Sequence, residues 1–134
     1  MAARSKARKR ALDILFAADL RGESAPEALQ RAIAEGEGPT NPYTETLVLG
    51  VSAERERIDA LLTEHADGWA LERMPGVDRN VLRLGVYEML YCDDVPEGVA
   101  ISEAVALVQD LSTDESPQFV NGVLGAVARA TSAT

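Results

Sequence analysis

The sequence predicts an all-α protein, and three observations support this fold class. Apolar side chains recur every three or four residues along most of the chain, as in helices with one buried face. Aromatic residues, which favour strands, make up only 4% of the composition, whereas hydrophobic residues make up 46%. Glycine and proline cluster at a few places, where they would separate helices. The 134 residues fit one domain, or two helical halves packed on each other.

Two helices are predicted at the start of the chain. The first spans residues 5–21 and ends at Gly22. Its predicted buried stripe comprises Ala7, Ala11, Ile14, Leu15 and Ala18. A weaker pattern with Leu29 and Ile33 predicts a second, shorter helix over residues 24–34, and the glycines and prolines of residues 36–42 predict a loop.

A long helix is predicted from Tyr43 to His65, and a hinge follows it. Leu47, Val51, Ile58 and Leu62 have helical spacing, and we expect the charged residues 54–57 to form a solvated face. Pro75 and Gly76 end a short segment that contains Trp69 and Leu71. Residues 66–76 are therefore expected to join an N-terminal half, residues 1–65, to a C-terminal half, residues 77–131.

Three further helices are predicted in the C-terminal half. The first extends to about Cys92, and Asp78 is expected to cap or charge-stabilise its N-terminus. After the break at residues 93–96, a second helix carries Ile101, Ala104, Val105, Val108 and Leu111. A third begins near residues 112–115 with Pro117 in its first turn. Gly122 and Gly125 in this helix are expected to allow close approach of a neighbouring helix.

The charge of the chain is unevenly distributed. The net charge is −9, yet the first ten residues contain five cations and no acid, so the remainder carries −14. A basic pole on an acidic body predicts an anionic partner at the N-terminus and a basic partner elsewhere. No apolar run approaches the length needed to cross a bilayer, and the N-terminus lacks the apolar core of a signal peptide. We therefore expect a cytoplasmic protein that does not contact membranes.

The residues offer no support for an enzyme. His65 is the only histidine and has no partner at metal-ligand spacing, so it is expected to lie at a helix C-terminus. Cys92 is the only cysteine, and we expect it to be partly buried. Glu88 is expected to be a buried structural carboxylate. There is no glycine-rich phosphate loop, so we expect no catalytic residues, no metal and no cofactor.

The basic N-terminus is the strongest candidate site. Its five cations, spread around the first helical turns, could follow the phosphates of a nucleic acid: Arg4, Lys6, Arg8, Lys9 and Arg10. A solubilising tail and a docking site for an acidic protein are the alternatives, and the spacing does not choose among the three.

Three stretches resemble the NusB family of bacterial transcription antitermination factors. Residues 77–88 read VDRNVLRLGVYE, residues 94–96 and 99–105 read DVP and VAISEAV, and residues 112–124 read STDESPQFVNGVL. The resemblance covers most of the chain except residues 24–42. It implies about seven helices in two small packed helical bundles, binding of boxA RNA in ribosomal RNA leader transcripts, and pairing with the ribosomal small-subunit protein NusE. The implied mechanism is scaffolding on RNA polymerase with other Nus factors.

The resemblance also assigns residues. The arginine-rich N-terminus of the family falls on the five cations, and its second RNA-contacting region includes Glu115, Gln118 and Phe119. Phe119 could stack on an unpaired base or lie in the core, and both readings stay open. The implied NusE contact comprises Phe16, Leu20, Glu72 and Asp78. Phe16 stands where some relatives have tyrosine, so a hydroxyl group is absent from that contact.

Two other functions remain as alternatives. NusB-like modules also occur fused to RNA methyltransferases, although this chain has no glycine-rich cofactor loop. Some family members form homodimers, which could be a storage form that covers the basic surface.

Overall fold

Seven α-helices and one 3-10 turn make up the computed structural model, which describes residues 2–131, and these residues contain no strand. The helices are α1 (Ala3–Arg21), α2 (Ala25–Ala34), α3 (Pro42–Ala53), α4 (Arg55–His65), α5 (Gly76–Tyr91), α6 (Glu97–Leu111) and α7 (Ser116–Thr131). The 3-10 turn spans Leu71–Arg73. The prediction of an all-α fold is confirmed.

The chain divides into two compact units, residues 1–54 and residues 55–134. In the first unit, α1 packs against both α2 and α3, which also pack against each other. Leu12, Leu29 and Leu47 are among its buried side chains. Local signals set the helix ends: Gly22 adopts a left-handed conformation (φ 66°) after α1, and Ser24 and Glu27 form a capping box at the start of α2.

The predicted single helix from Tyr43 to His65 is wrong, because the structure has two helices that meet at Glu54. The backbone of Glu54 (φ −105°, ψ 17°) leaves the helical conformation, and α4 begins at the next residue. Leu47 and Val51 pack in the first unit, whereas Ile58 and Leu62 pack in the second. The apolar stripe thus enters two different cores, and the helix breaks between them.

The second unit contains α4 to α7, so its boundary falls earlier than the expected hinge at residues 66–76. Helix α4, expected in the N-terminal half, packs against α5 and α7. An ion pair also joins α4 to α5: Arg83 Nε donates to Asp59 Oδ1 at 2.8 Å and Nη2 donates to Oδ2 at 3.2 Å. Arg83 is buried, so this bidentate pair fixes the register of the two helices.

Gly85, rather than Gly122 or Gly125, is the glycine that allows close helix packing. A Cβ atom on Gly85 would lie 2.7 Å from Leu124 Cδ1, which places α5 directly against α7. A Cβ on Gly122 would meet nothing within 4 Å, and one on Gly125 would meet only the Arg129 side chain of the same helix. The expectation for Gly122 and Gly125 is therefore corrected, since neither faces another helix.

Candidate nucleic-acid interface

The exposed face of α1 carries cations at one end and apolar side chains at the other. Lys6, Lys9, Asp13, Phe16 and Leu20 are three or four residues apart and therefore lie along one side of the helix. Lys6 and Lys9 are exposed, Phe16 is half-buried, and Leu20 is 73% exposed. The structure thus places two of the predicted RNA-binding cations and two of the predicted partner residues on one helix face.

Arg4 and Arg8 lie over the ring of Tyr43 in α3. The guanidinium carbon of Arg4 is 4.1 Å from the ring centroid and that of Arg8 is 5.8 Å from it. Arg4 remains exposed, but Arg8 is only 5% exposed. The expectation that Arg8 holds RNA phosphates is therefore corrected: its buried guanidinium supports the packing of α1 on α3.

Arg10 and Asp13 complete the charged end of this face. The guanidinium of Arg10 donates a hydrogen bond to the backbone carbonyl of Glu37, which anchors the loop between α2 and α3. Partial burial raises the pKa of the Asp13 carboxyl above its usual range, against the opposing attraction of Arg10 and Lys9. At lower pH, Asp13 therefore becomes neutral earlier than an ordinary aspartate, and the face becomes more positive.

The second predicted RNA region lies at the start of α7. Glu115 and Gln118 are exposed, and Phe119 is half-buried, so Phe119 is not a fully buried core residue. Its ring meets that of Trp69 edge-on, with centroids 5.9 Å apart and an interplanar angle of 61°. The sequence predicted only that Trp69 lies in the hinge and did not indicate its contact with Phe119. The available signal was a tryptophan in a segment without helical periodicity.

Asp78 is not a surface residue, which argues against the partner contact that the resemblance implies. It is 3% exposed, and its carboxylate accepts hydrogen bonds from the hydroxyls of Ser112 (2.5 Å) and Ser116 (2.8 Å). It lies in the first turn of α5, as expected for an acid that charge-stabilises the helix N-terminus, and makes no side-chain capping bond there. Asp78 therefore holds the start of α7 against α5 instead of meeting a partner, whereas the predicted partner residue Glu72 is exposed.

The three residues that could have supported catalysis or metal binding occupy the positions expected for structural roles. His65 ends α4, Glu88 is 2% exposed inside α5, and Cys92 is half-buried, as expected. No group of three His, Cys, Asp or Glu side chains that could hold a metal occurs within residues 2–131. In the same range, no helix is long and apolar enough to cross a membrane.

Comparison with known proteins identifies close relatives. The chain is 72% identical over 129 residues to the transcription antitermination protein NusB of a Nocardioides species, covering 96% of both chains. It is 56% identical to the protein of that name from Thermobifida fusca, covering 90% of this chain and 85% of the relative.

Solved structures give the same answer for the fold. NusB of T. maritima superposes with a TM-score of 0.85 at 30% identity, covering 96% of this chain and 92% of that one. A structure of the antitermination factors NusB and NusE in complex with double-stranded RNA superposes with a TM-score of 0.82 at 32% identity, covering 95% and 96%.

The names of these relatives give transcription antitermination as their role and no enzymatic activity. The NusB family itself matches residues 5–129, nearly the whole chain. The chain therefore belongs to the NusB family of transcription antitermination factors.

Proposed function

We propose that this antitermination factor binds single-stranded boxA RNA of ribosomal RNA leader transcripts together with NusE. It acts as a non-catalytic scaffold on RNA polymerase, with other Nus factors, in the cytoplasm, and so supports ribosomal RNA synthesis. The observation that carries the proposal is the exposed face of α1, where Lys6 and Lys9 are followed by Phe16 and Leu20. One helix face thus offers a polyanion site next to an apolar protein-binding site.

The basic end of this face suits RNA. Lys6 and Lys9 are one helical turn apart and exposed, and Arg4 is exposed in the same region. Each phosphate that such a cation neutralises releases counterions, which drives binding. The body of the protein is acidic, so the phosphates are directed to this end of the chain.

The apolar end suits a protein partner. Leu20 is the most exposed of the large hydrophobic residues in residues 2–131, and burying it in an interface would remove apolar surface from water. The acidic body, including the exposed Glu72, complements a basic partner. The structural relative that contains NusE and RNA supports the choice of NusE.

Fluorescence anisotropy tests the proposal with four labelled RNAs: boxA RNA, a scrambled RNA of equal length, and the duplex form of each. Each RNA is titrated with the protein in the presence and absence of NusE. We expect preferential binding of single-stranded boxA RNA that tightens when NusE is added. Equal affinity for boxA and scrambled RNA, with and without NusE, would refute the proposal and leave a non-specific polyanion site.

The exposure of Leu20 also favours a second candidate, a homodimer that covers this face. Light scattering after size-exclusion chromatography, at several protein concentrations and with added RNA, distinguishes the two. A dimer that RNA or Leu20→Ser dissociates supports a storage form, whereas a monomer at all concentrations excludes it.

A further inference from the structure

Trp69 is a large aromatic side chain that the fold leaves half in water. It is the only tryptophan of the chain, and it is 53% exposed in the segment between α4 and the 3-10 turn. Its edge-on contact with Phe119 holds it against the first turn of α7. Because an exposed indole leaves apolar surface in water, its position suggests contact with a ligand.

Two clefts meet at this aromatic pair, and the first is apolar. It has a volume of about 430 Å³ and is lined by Trp69, Met74, Pro75 and Phe119. This volume lies within the range of about 300–1,000 Å³ found for small-molecule sites. Thr113 and Glu115 also line this cleft, and their side-chain oxygens can accept hydrogen bonds.

The second cleft, of about 400 Å³, also includes both aromatic rings but is polar. Gln118 and Arg129 of α7 line it together with Glu64 of α4 and Asp67, which follows that helix. Gly122 lies between them on α7 without a side chain, and a Cβ there would meet nothing within 4 Å, so the cleft is open along the helix. Arg129 gives this cleft a cation that the apolar cleft lacks.

The two clefts together match the parts of one nucleotide. A nucleobase has flat apolar faces that stack on aromatic rings, and its edge carries N–H donors that carboxylates accept. The carboxylate of Glu115 would favour such an edge and repel a phosphate, whereas Arg129 would attract the phosphate. Arg129 is the one arginine or lysine among the residues that line the two clefts, although Glu64 and Asp67 line its cleft too, so a bound nucleotide would place its phosphate at Arg129 and its base in the apolar cleft.

We propose that one unpaired nucleotide of the bound RNA stacks its base on Trp69 in the apolar cleft and places its phosphate beside Arg129. The proposal rests on the proposed RNA-binding function and adds a stacking residue, Trp69, and a phosphate contact, Arg129. A basic peptide is the competing occupant, because Glu64, Asp67 and Glu115 would also attract cations. The positive charge of Arg129 in the polar cleft would repel a basic peptide.

Intrinsic fluorescence provides a direct test, because all tryptophan emission comes from Trp69. Stacking of a base on the indole is expected to quench this emission as boxA RNA is added. Trp69→Ala is expected to weaken RNA binding about 5- to 150-fold, as for one lost base–aromatic stack, without changing the salt dependence. Arg129→Gln is expected to reduce the log-log salt slope by about 0.7, the value for one phosphate on a single strand.

Two further variants separate stacking from folding. Trp69→Phe keeps an aromatic ring and is expected to retain most of the affinity that Trp69→Ala loses. Leu111→Ala is the matched control, since Leu111 is an apolar residue of the same unit, 41% exposed, that lines neither cleft. Circular dichroism checks that all four variants are helical.

The outcomes distinguish this inference from the proposed function. RNA binding with unquenched emission and unchanged affinity of Trp69→Ala would overturn the inference and leave the proposed function intact. Quenching by boxA and scrambled RNA alike, at equal affinity, would support the nucleotide cleft while refuting boxA recognition. Quenching by NusE instead of RNA, with only NusE binding lost in Trp69→Ala, would assign the cleft to a protein and overturn the inference.

Discussion

Adjacent cations on α1 have different surroundings, and burial separates their roles. Arg8 is 5% exposed near the ring of Tyr43, whereas the next residue, Lys9, is exposed to solvent. A buried guanidinium stabilises the fold only while its partners stay in place, and an exposed ammonium is available to a ligand. The basic cluster therefore contains cations that support the packing of α1 and cations that are accessible to a ligand.

Alanine substitution distinguishes these two roles. Lys9→Ala is expected to weaken RNA binding and reduce the log-log salt slope by about 0.7, with little change in stability, because alanine keeps helix propensity. Arg8→Ala is expected to lower the free energy of unfolding by about 2 kcal/mol, since it removes packing and a cation–π contact. Urea unfolding and fluorescence anisotropy of both variants provide the measurements. Equal stability of the two variants would contradict the structural role of Arg8.

Helical periodicity placed the cations on α1 but could not show which of them is buried. Tyr43, which covers the arginines, comes from another helix far along the chain, and local spacing carries no information about such a contact. The same limit applies to Asp78, whose hydroxyl partners Ser112 and Ser116 lie 34 and 38 residues further along the chain. Periodicity did place Lys6, Lys9 and Leu20 outside the predicted buried stripe of α1, and the structure leaves all three exposed.

The helices themselves were predictable wherever a local signal ends them. Gly22 ends α1 and Ser24 begins α2, because a left-handed glycine and a capping box act within a few residues. The break at Glu54 has no such signal in the sequence. It arises because Val51 and Ile58 pack into the cores of different units, which depends on tertiary structure.

Alanine substitution is expected to have opposite effects on stability at two glycines. Gly85 lies where α5 contacts α7, whereas Gly122 has open space around its Cβ position. Gly85→Ala is expected to lower the free energy of unfolding by about 1 kcal/mol, because its Cβ would lie 2.7 Å from the buried Leu124 side chain and overpacking outweighs the gain in helix propensity. Gly122→Ala is expected to raise it by about 0.5–1 kcal/mol, because nothing lies near its Cβ. Urea unfolding measures both, and stabilisation of both variants would show that α5 and α7 do not pack closely at Gly85.

The two units differ strongly in charge. Residues 1–54 contain seven basic and eight acidic side chains, whereas residues 55–134 contain six basic and 14 acidic ones. Five of the seven bases in the first unit lie within the first ten residues. A polyanion therefore meets attraction at the start of α1 and repulsion from most of the rest of the chain, which restricts where its phosphates can bind.

This distribution sets the salt dependence of RNA binding. Arg4, Lys6 and Lys9 are exposed and Arg10 is half-exposed, so about four phosphates can be neutralised at α1, and we expect these contacts to contribute about −3 to the log-log slope at about 0.7 per phosphate. The double variant Lys6→Gln, Lys9→Gln is expected to reduce the magnitude of the slope by about 1.4, because two of the contacts on α1 are lost. Anisotropy titrations at several salt concentrations measure both slopes. Arg57→Gln is the control, since Arg57 is an exposed cation of the acidic unit and its loss should leave the slope unchanged. A flat salt response of the wild type, or a double variant with an unaltered slope, would move the phosphate contacts away from α1.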